Sequence, residues 1–298
     1  MYQYNLYGQN ISSSLEFPQL IINSENNNFD IVILEGEIPS KILKKAEEKY
    51  YEIDKIQSWF QNDTGIFYVS KGREIHYQLK ENANLQYART YILGYAISML
   101  LLQRNILTIH CSAIANNEGA VLIAGESGAG KSTITTSFLN KGYKLLADDI
   151  AAVTVDEEGK VLAYPAFPYQ KLCRDGVKRE KININGLLCI DEEKDKFLVP
   201  RGEQFINQPM IVKAMVILGV NDGAGISVDE EVGVNKLFAI RENLFLRRLR
   251  GDWLARPEII QTCLEIGSKV PIYTIIRPRK FDTRSAVINS LEPMLKTL

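Results

Sequence analysis

Eight consecutive residues, Gly125-Glu126-Ser127-Gly128-Ala129-Gly130-Lys131-Ser132, have the types and spacing needed to bind phosphate groups. They match the pattern Gly-x-x-x-x-Gly-Lys-Ser in full. Glycines let such a loop turn its backbone N–H groups toward phosphates, while the lysine reaches the β- and γ-phosphates and the serine hydroxyl ligates magnesium. The segment, called the glycine loop below, therefore predicts binding of ATP and Mg²⁺. The predicted nucleotide-binding residues are Gly125, Ser127, Gly128, Ala129, Gly130, Lys131, Ser132 and Thr133.

The residues that flank the glycine loop predict the elements that would position it. Ala120–Ala124 is a short apolar run typical of a buried strand. A helix is predicted over Lys131–Asn140, with Gly142 placed to end it. Tyr143–Ala147 then reads as a strand, which completes a strand–loop–helix–strand unit. This context argues against a chance match to the loop pattern.

Two adjacent acidic residues, Asp148 and Asp149, follow that last predicted strand. The carboxyl ends of parallel strands meet at a ligand crevice, so we expect both carboxylates near the γ-phosphate. One can hold magnesium, together with Ser132, and the other can accept a proton from an attacking hydroxyl. The alternative is a turn-capping Asp149 beside a solvated Asp148. For His110, a core histidine and a role near the γ-phosphate remain equally open.

The overall pattern predicts an α/β chain, α+β when taken as a whole, with two domains. Residues 1–85 contain short apolar runs bounded by turn residues and predict a small β-rich N-terminal lobe. Residues 86–298 predict the catalytic domain, in which 165–209 reads as irregular. The remaining predicted elements are helices at about 40–51, 85–104, 235–249, 257–268 and 283–297, strands at 106–115, 210–220 and 270–276, and a hairpin of 150–155 with 160–164.

Composition and charge exclude several classes of function. The net charge is −1, from Lys+Arg 35 against Asp+Glu 36, which disfavours a general binder of nucleic acid or membrane surfaces. The four cysteines form no CxxC pair and there are only two histidines, so a structural zinc site is not expected. The scattered cysteines and the N-terminal sequence, which does not resemble a signal peptide, predict a cytoplasmic location.

The motifs together resemble the catalytic domain of the HPr kinase/phosphorylase family. The resemblance is carried by Leu107-Thr108-Ile109-His110, the glycine loop, and Leu145-Leu146-Ala147-Asp148-Asp149. It is greatest to the HPr kinase-like kinases of lasso-type and other ribosomally made precursor peptides, which have a β-rich lobe. Their patterns Gln-Arg-x-x-Leu and Pro-x-x-Pro-x-x-Lys-Leu are matched by Gln103–Leu107 and Pro165–Leu172.

The resemblance implies transfer of phosphate from ATP to a serine hydroxyl of a precursor peptide. It implies Asp148 as the base, Asp149 as support for magnesium or for the base, and the catalytic set Asp148, Asp149, Lys131, His110 and Lys171. It also implies a possible homo-oligomer. Two departures stand out: the Glu-x-Arg-Gly-x-Gly signature of HPr kinases is missing between 165 and 235, and Cys173 replaces a frequent tryptophan. The first departure counts against HPr as the substrate and against phosphorolysis.

Two other functional classes remain to be weighed against a peptide kinase. A guanine-specific switch normally carries Asn-Lys-x-Asp, and the nearest match, Asn221-Asp222-Gly223, lacks the lysine. A degenerate structural relative is disfavoured because Lys131, Ser132 and both aspartates are present. Phosphoryl transfer also calls for a cation at the γ-oxygens. The candidates are Lys171, which the resemblance favours, and Lys196, Arg201, Arg241, Arg247 and Arg248.

Overall fold

The structure is a computed structural model that describes residues 1–23, 28–191, 195–279 and 282–296. It is a mixed α/β fold, and the strands of the described residues form three sheets. The chain divides into two compact units. Unit 1 comprises Met1–Thr108 and Phe245–Ile259, and unit 2 comprises Ile109–Leu244 and Ile260–Leu298.

Unit 1 is built on a mixed sheet with the strand order β3-β1-β2-β4-β8-β7-β6-β5. Its strands are β1 Tyr2–Leu6, β2 Gln9–Ser13, β3 Ile21–Ile22, β4 Ile31–Glu35, β5 Tyr51–Glu52, β6 Gln57–Gln61, β7 Gly65–Ser70 and β8 Glu74–Leu79. The helices are α1 Ser40–Ala46, α2 Leu85–Tyr91 and α3 Ile97–Gln103, and the π-helical turn Ile92–Ala96 joins α2 to α3. The predicted helix over 85–104 is therefore confirmed, whereas the helix predicted over 40–51 ends at Ala46.

Unit 1 extends beyond the lobe predicted to end at residue 85. Tyr91 and Tyr95, on the helical segment, lie within ring-contact distance of Phe60, and Tyr91 also contacts Phe67. These aromatic contacts attach the helical segment to the sheet. Composition changes near residue 85, but packing decides which residues share one core.

Unit 2 contains the strands that follow β9 Leu107–Ile109. They are β10 Cys111–Ala115, β11 Ala120–Gly125, β12 Lys144–Ala147, β13 Ala151–Val155, β14 Val161–Tyr164, β15 Tyr169–Cys173, β16 Leu188–Asp191, β17 Lys196–Pro200, β18 Met210–Asn221, β19 Ser227–Glu230 and β20 Ile272–Pro278. The helices are α4 Lys131–Leu139, α5 Arg174–Arg179, α6 Val234–Glu242, α7 Pro257–Lys269 and α8 Arg284–Lys296. A short 3₁₀ turn lies at Gly202–Gln204. The 3₁₀ turns Phe245–Arg248 and Asp252–Ala255 and the first residues of α7, up to Ile259, belong to unit 1.

The central sheet of unit 2 is mixed rather than parallel. β11 pairs in parallel with β18, and β18 pairs in parallel with β20. β10 lies between β11 and β12 and is antiparallel to both. β11 and β12 therefore still run in the same direction, so their carboxyl ends lie at one edge of the sheet. Because β10 is antiparallel, it begins at that same edge.

Helices α4 and α8 cover this sheet with one apolar core. Ile134 and Phe138 of α4, Val287 and Leu291 of α8, and Ile123 of β11 are all at most 2% exposed. Burial of such side chains is the main force that fixes a helix on a sheet. This packing sets the position of the first turn of α4, which carries Lys131 and Ser132.

Residues 165–209 differ from the sequence expectation. They were predicted to be irregular, but β15, β17 and β16 form a separate antiparallel sheet in this region. Helix α5 packs on that sheet, where its buried Val177 lies in one apolar cluster with Leu172 of β15 and Phe197 of β17. The segment was missed because its apolar runs, Leu187–Ile190 and Phe197–Val199, are only four and three residues long and lie within a largely polar stretch.

Most other predicted elements are observed with small shifts at their ends, but the helix predicted over 235–249 ends at Glu242, and a separate 3₁₀ turn follows at Phe245–Arg248. The hairpin of β13 and β14 is antiparallel as predicted. The segment predicted as one strand over 106–115 is divided into β9 and β10, with His110 between them. The helix predicted over 283–297 runs to Lys296, and residue 297 lies outside the described residues. The edge strand β19 was not predicted.

Candidate nucleotide and phosphoryl-transfer site

The glycine loop connects the end of a buried strand to the start of a helix. Strand β11 ends at Gly125 and helix α4 begins at Lys131, as predicted. Gly125, Gly128 and Gly130 have φ values of 130°, 85° and 105°. This part of backbone space favours glycine because it has no Cβ. The loop conformation therefore favours glycine at 125 and 130, where the pattern places it, and also at 128, which the pattern leaves open.

Gly125 and Gly130 are also required by close neighbours. A Cβ on Gly125 would lie 2.2 Å from the carbonyl oxygen of Leu218, on the neighbouring strand β18. A Cβ on Gly130 would lie 3.0 Å from the guanidinium of Arg277. The Arg277 Nε donates a hydrogen bond to the Ala129 carbonyl at 2.9 Å. Arg277 thus holds the loop from the end of β20, a role that the sequence analysis did not assign.

Lys131 carries the positive charge of the glycine loop and interacts electrostatically with Asp148 and Asp149. Its Nζ donates to the carbonyls of Gly125 at 2.5 Å and Glu126 at 3.1 Å. Burial lowers the pKa of Lys131, and the carboxylates of Asp149 and Asp148 act in the opposite direction. The ammonium and both carboxylates are therefore close enough to interact electrostatically. Helix α4 adds the partial positive charge of its N-terminus at the same place.

Asp148 is buried and fully engaged by the fold. The residue is 6% exposed. Its Oδ1 accepts from the Ser112 hydroxyl at 2.6 Å, and its Oδ2 accepts from the backbone N–H of Lys171 at 2.6 Å. Burial raises the pKa of Asp148, although both hydrogen bonds oppose this rise. Asp148 therefore joins β10 and β15 to the end of β12.

Asp149 differs from its neighbour in exposure and in charge environment. Its side chain is 24% exposed, and its Oδ2 accepts from the Lys171 Nζ at 2.7 Å. Burial by itself raises the pKa of Asp149, but the charges of Lys171 and His110 overcome this and hold it well below its usual range. Asp149 also has a φ of 73°, in the left-handed region. A non-glycine residue seldom adopts this conformation.

His110 contacts Asp149 rather than the apolar core. Its Nδ1 lies 3.0 Å from the Asp149 carbonyl oxygen and 3.6 Å from the Asp149 Oδ1. A carbonyl oxygen can only accept, so Nδ1 carries the proton in this contact. The position of His110 at the start of antiparallel β10 brings it to the acidic pair. The structure thus places His110 beside the acidic pair, and a role near the γ-phosphate stays a prediction.

Gln170 links the loop helix to the strand that carries Lys171. Its side chain is fully buried, and its Nε2 lies 3.3 Å from the Ser132 carbonyl and 3.0 Å from the Thr136 hydroxyl. Its Oε1 accepts from the Nη2 of Arg201 at 2.8 Å. Lys171 follows directly and reaches Asp149. Neighbouring residues of β15 therefore fix the first turn of α4 and the acidic pair in one frame.

The sequence candidates fall into groups in the structure. Lys131, Ser132, Asp148, Asp149, His110 and Lys171 come together in unit 2. Lys196 acts electrostatically on Lys131 and Asp149, whereas the guanidinium of Arg201 is held on Gln170. Arg247 and Arg248 belong to unit 1 and Arg241 to helix α6. Sequence analysis missed Ser112, Gln170 and Arg277. The only local signal for the first two is their position next to His110-Cys111 and to Lys171.

The donors present suit a hard cation beside the phosphates. The Ser132 hydroxyl and the Asp149 carboxylate are oxygen ligands, which magnesium prefers. Of the two aspartates, Asp149 is the one that solvent reaches.

Among the described residues, no helix combines the length and apolar character needed to cross a membrane.

Comparisons with known proteins do not identify the function of this chain, so the interpretation rests on the geometry of the site. No protein-family model matches the chain, and no curated protein matches it. Among solved structures, the chain is similar to the HPr(Ser) kinase/phosphatase from Coxiella burnetii, with 62% of this chain and 92% of that chain covered. The TM-score is 0.31 and the sequence identity is 13%. Similarity at this level supports no inference about activity, which must be argued from the contacts described above.

Proposed function

We propose that the chain is an ATP-dependent phosphotransferase that moves the γ-phosphate to a serine hydroxyl of a peptide. One observation carries the proposal. A solvent-accessible, ionised Asp149, held by Lys171 and His110, lies within electrostatic reach of the loop lysine Lys131. A site that only captured a nucleotide would not need an accessible carboxylate oriented by Lys171 and His110. An acceptor hydroxyl does need one.

Asp149 is the group we assign to the acceptor. The serine oxygen attacks the γ-phosphorus, the bond from that phosphorus to the β–γ bridging oxygen breaks, and ADP leaves with the electron pair. The hydroxyl proton passes to the Asp149 carboxylate. A strong base is not required, because little negative charge has to be generated on the attacking oxygen in a loose transition state. The low pKa of Asp149 keeps the carboxylate ionised and able to accept.

Asp148 receives a different role from the one implied by family resemblance. Resemblance implied Asp148 as the base, but its oxygens already accept from Ser112 and from the Lys171 backbone. We therefore assign Asp148 as a positioning residue that holds β15 and, through it, the Lys171 side chain. Variants of the two aspartates test this division of roles.

The loop and the cations complete the site. In this proposal the loop N–H groups and the start of α4 hold the β- and γ-phosphates, and Lys131 turns from the loop carbonyls to them. Ser132 would hold magnesium, with Asp149 beside it as a charge partner rather than as a direct ligand, and bound magnesium would supply positive charge to the phosphate oxygens. Lys171, which is 19% exposed and pairs with Asp149, would share its charge between Asp149 and the transferred group.

The acceptor class rests on the sequence resemblance. Residues 103–107 and 165–172 match the patterns of kinases that act on ribosomally made, lasso-type precursor peptides. We therefore propose such a peptide as the partner, in the cytoplasm, with an HPr-type protein serine as the alternative acceptor. The missing Glu-x-Arg-Gly-x-Gly signature favours the peptide.

Phosphate transfer to peptides tests the proposal directly. The full chain is incubated with γ-labelled ATP, magnesium and a panel of serine-containing precursor peptides, each paired with its Ser→Ala form. We expect label on at least one serine peptide and none on its alanine partner. Asp149→Asn should bind ATP normally and lose transfer, because the variant amide cannot accept the proton.

A control variant tests whether the loss of transfer in Asp149→Asn comes merely from breaking an ion pair between an aspartate and a cation. Asp195 also pairs with a cation, Arg174, but is exposed to solvent. Asp195→Asn should therefore keep full transfer. Hydrolysis of ATP with no labelled peptide or HPr would contradict the proposal and favour a nucleotide-dependent switch.

A further inference from the structure

A cationic cavity of about 290 Å³ lies beside the glycine loop within unit 2. One wall is the first part of helix α4, and the other walls are the ends of α5, β20 and the segment that begins α8. The lining residues are Gly130, Thr133, Ile134, Arg179, Arg277, Asp282, Thr283 and Arg284. Three arginines around one cavity are unusual, because like charges repel unless an anion lies among them.

The three arginines are fixed in different ways. Arg277 is held by the Ala129 carbonyl, and an Arg179 Nη1 donates to the Thr133 hydroxyl at 3.0 Å. Arg284 pairs with Asp282 through its Nε at 2.9 and 3.0 Å. Asp282 and, at longer range, Glu180 act on Arg284, so two carboxylates stand against three positive charges. The cavity therefore retains a net positive charge.

The electrostatics around Asp282 show that the arginines act on one region. Arg284 lowers the pKa of Asp282 to about 2, and the charge of Arg179 contributes to this shift. The N-termini of α4 and α8 both begin at this cavity, at Lys131 and Arg284. Each helix N-terminus adds partial positive charge. Guanidinium groups and helix N-termini are the donors that bind phosphate best in proteins.

We infer that this cavity binds the α-phosphate of the nucleotide held by the glycine loop, through Arg179 and Arg284. The inference rests on the proposed binding of a nucleoside triphosphate. Thr133 follows Ser132 directly and opens onto the cavity, so the third phosphate from the transferred end reaches this place when the other two fill the loop. Arg179 and Arg284 then raise the affinity for compounds with three linked phosphates, such as ATP and tripolyphosphate. They contribute little to the affinity for pyrophosphate, which has two.

Binding of three phosphate compounds tests the assignment. ATP, tripolyphosphate and pyrophosphate are titrated calorimetrically, with magnesium, into the full chain and into the double variant Arg179→Gln/Arg284→Gln. We expect the variant to bind ATP and tripolyphosphate roughly 10- to 100-fold more weakly, as the loss of charge-assisted hydrogen bonds predicts. Pyrophosphate should change by less than about twofold.

Arg174→Gln is the matched control. Arg174 begins the same helix as Arg179 but pairs with Asp195 outside the cavity. It should leave all three affinities unchanged. Arg277 is not used in the test because it also holds the loop backbone, so its replacement would weaken all three compounds.

Several results would overturn the inference. These are an equal loss for pyrophosphate, no loss for any compound, a loss for ATP alone, or a second tripolyphosphate bound per chain. The last two would assign the cavity to the nucleoside or to a separate anion. If the variants lose ATP binding as expected but the chain transfers no phosphate, only the proposed function fails. If transfer occurs and the variants bind ATP normally, only this inference fails.

Discussion

The glycine loop and the acidic cluster are built in opposite ways. The loop is continuous in sequence, and each glycine conformation and the helix start follow from residues 125–132. The acidic cluster brings together His110, Ser112, Asp148, Asp149 and Lys171 from three separate stretches of chain. A continuous motif can be recognised from residue types alone, whereas the function of the cluster depends on how the strands are ordered.

The largest expected effect is loss of the charge in the continuous motif. Lys131→Ala removes the ammonium that would face the β- and γ-phosphates, so transfer should fall by at least about 10³-fold. Peptide phosphorylation at saturating ATP measures this. Lys160→Ala, which removes an exposed lysine paired with Glu158, should leave the rate unchanged. Equal activity of the two variants would remove the loop from the mechanism.

The next effect belongs to the assembled cluster. Lys171→Met removes the main charge that lowers the pKa of Asp149, while burial, which raises that pKa, remains. The rate should fall by about 10²-fold. Because transfer needs ionised Asp149, the acidic limb of the pH–rate profile should move to higher pH. A profile with an unchanged acidic limb would separate Lys171 from Asp149.

A third change tests the buried support of the cluster. Ser112→Ala removes the hydroxyl that donates to Asp148, and leaving a buried carboxylate oxygen short of a donor should cost about 1–3 kcal/mol of the free energy of unfolding. Ser98 is the matched control, because it is also buried but its hydroxyl has no hydrogen-bond partner among the described residues. Ser98→Ala should be neutral or stabilising. Denaturant unfolding of both variants measures the difference.

The smallest expected effect on the free energy of unfolding comes from replacing a glycine with positive φ, either inside the glycine loop or outside it. Gly128 and Gly142 have φ values of 85° and 95°, and a Cβ on either would meet no atom within 4 Å. Alanine at each position should therefore cost a similar ~1–2 kcal/mol of the free energy of unfolding. Only Gly128→Ala should also weaken ATP binding, because only Gly128 lies in the loop. Equal ATP affinities would show that the loop tolerates a changed backbone.

The sequence predicted elements that depend on neighbouring residues, but it did not predict those that depend on which strands pair with each other. The loop, helix α4 and the hairpin of β13 and β14 each follow from adjacent residues with clear turn or helix signals. The sheet of β15, β17 and β16 was missed because its apolar runs are short and lie in a polar stretch, so that only the pairing of the strands identifies them. Ser112, Gln170 and Arg277 were missed for a related reason, since a serine, a glutamine or an arginine has no distinctive spacing by itself.

The sequence by itself determined the backbone conformation of the glycine loop, the helix that follows it, and the presence of two carboxylates after a buried strand. Only the tertiary structure decided how the two carboxylates differ. Antiparallel β10 places Ser112 on Asp148 and His110 on Asp149, and β15 places the backbone of Lys171 on one and its ammonium on the other. The physical reason is that burial and neighbouring charges set the pKa and accessibility of a carboxylate, and both are properties of the folded chain.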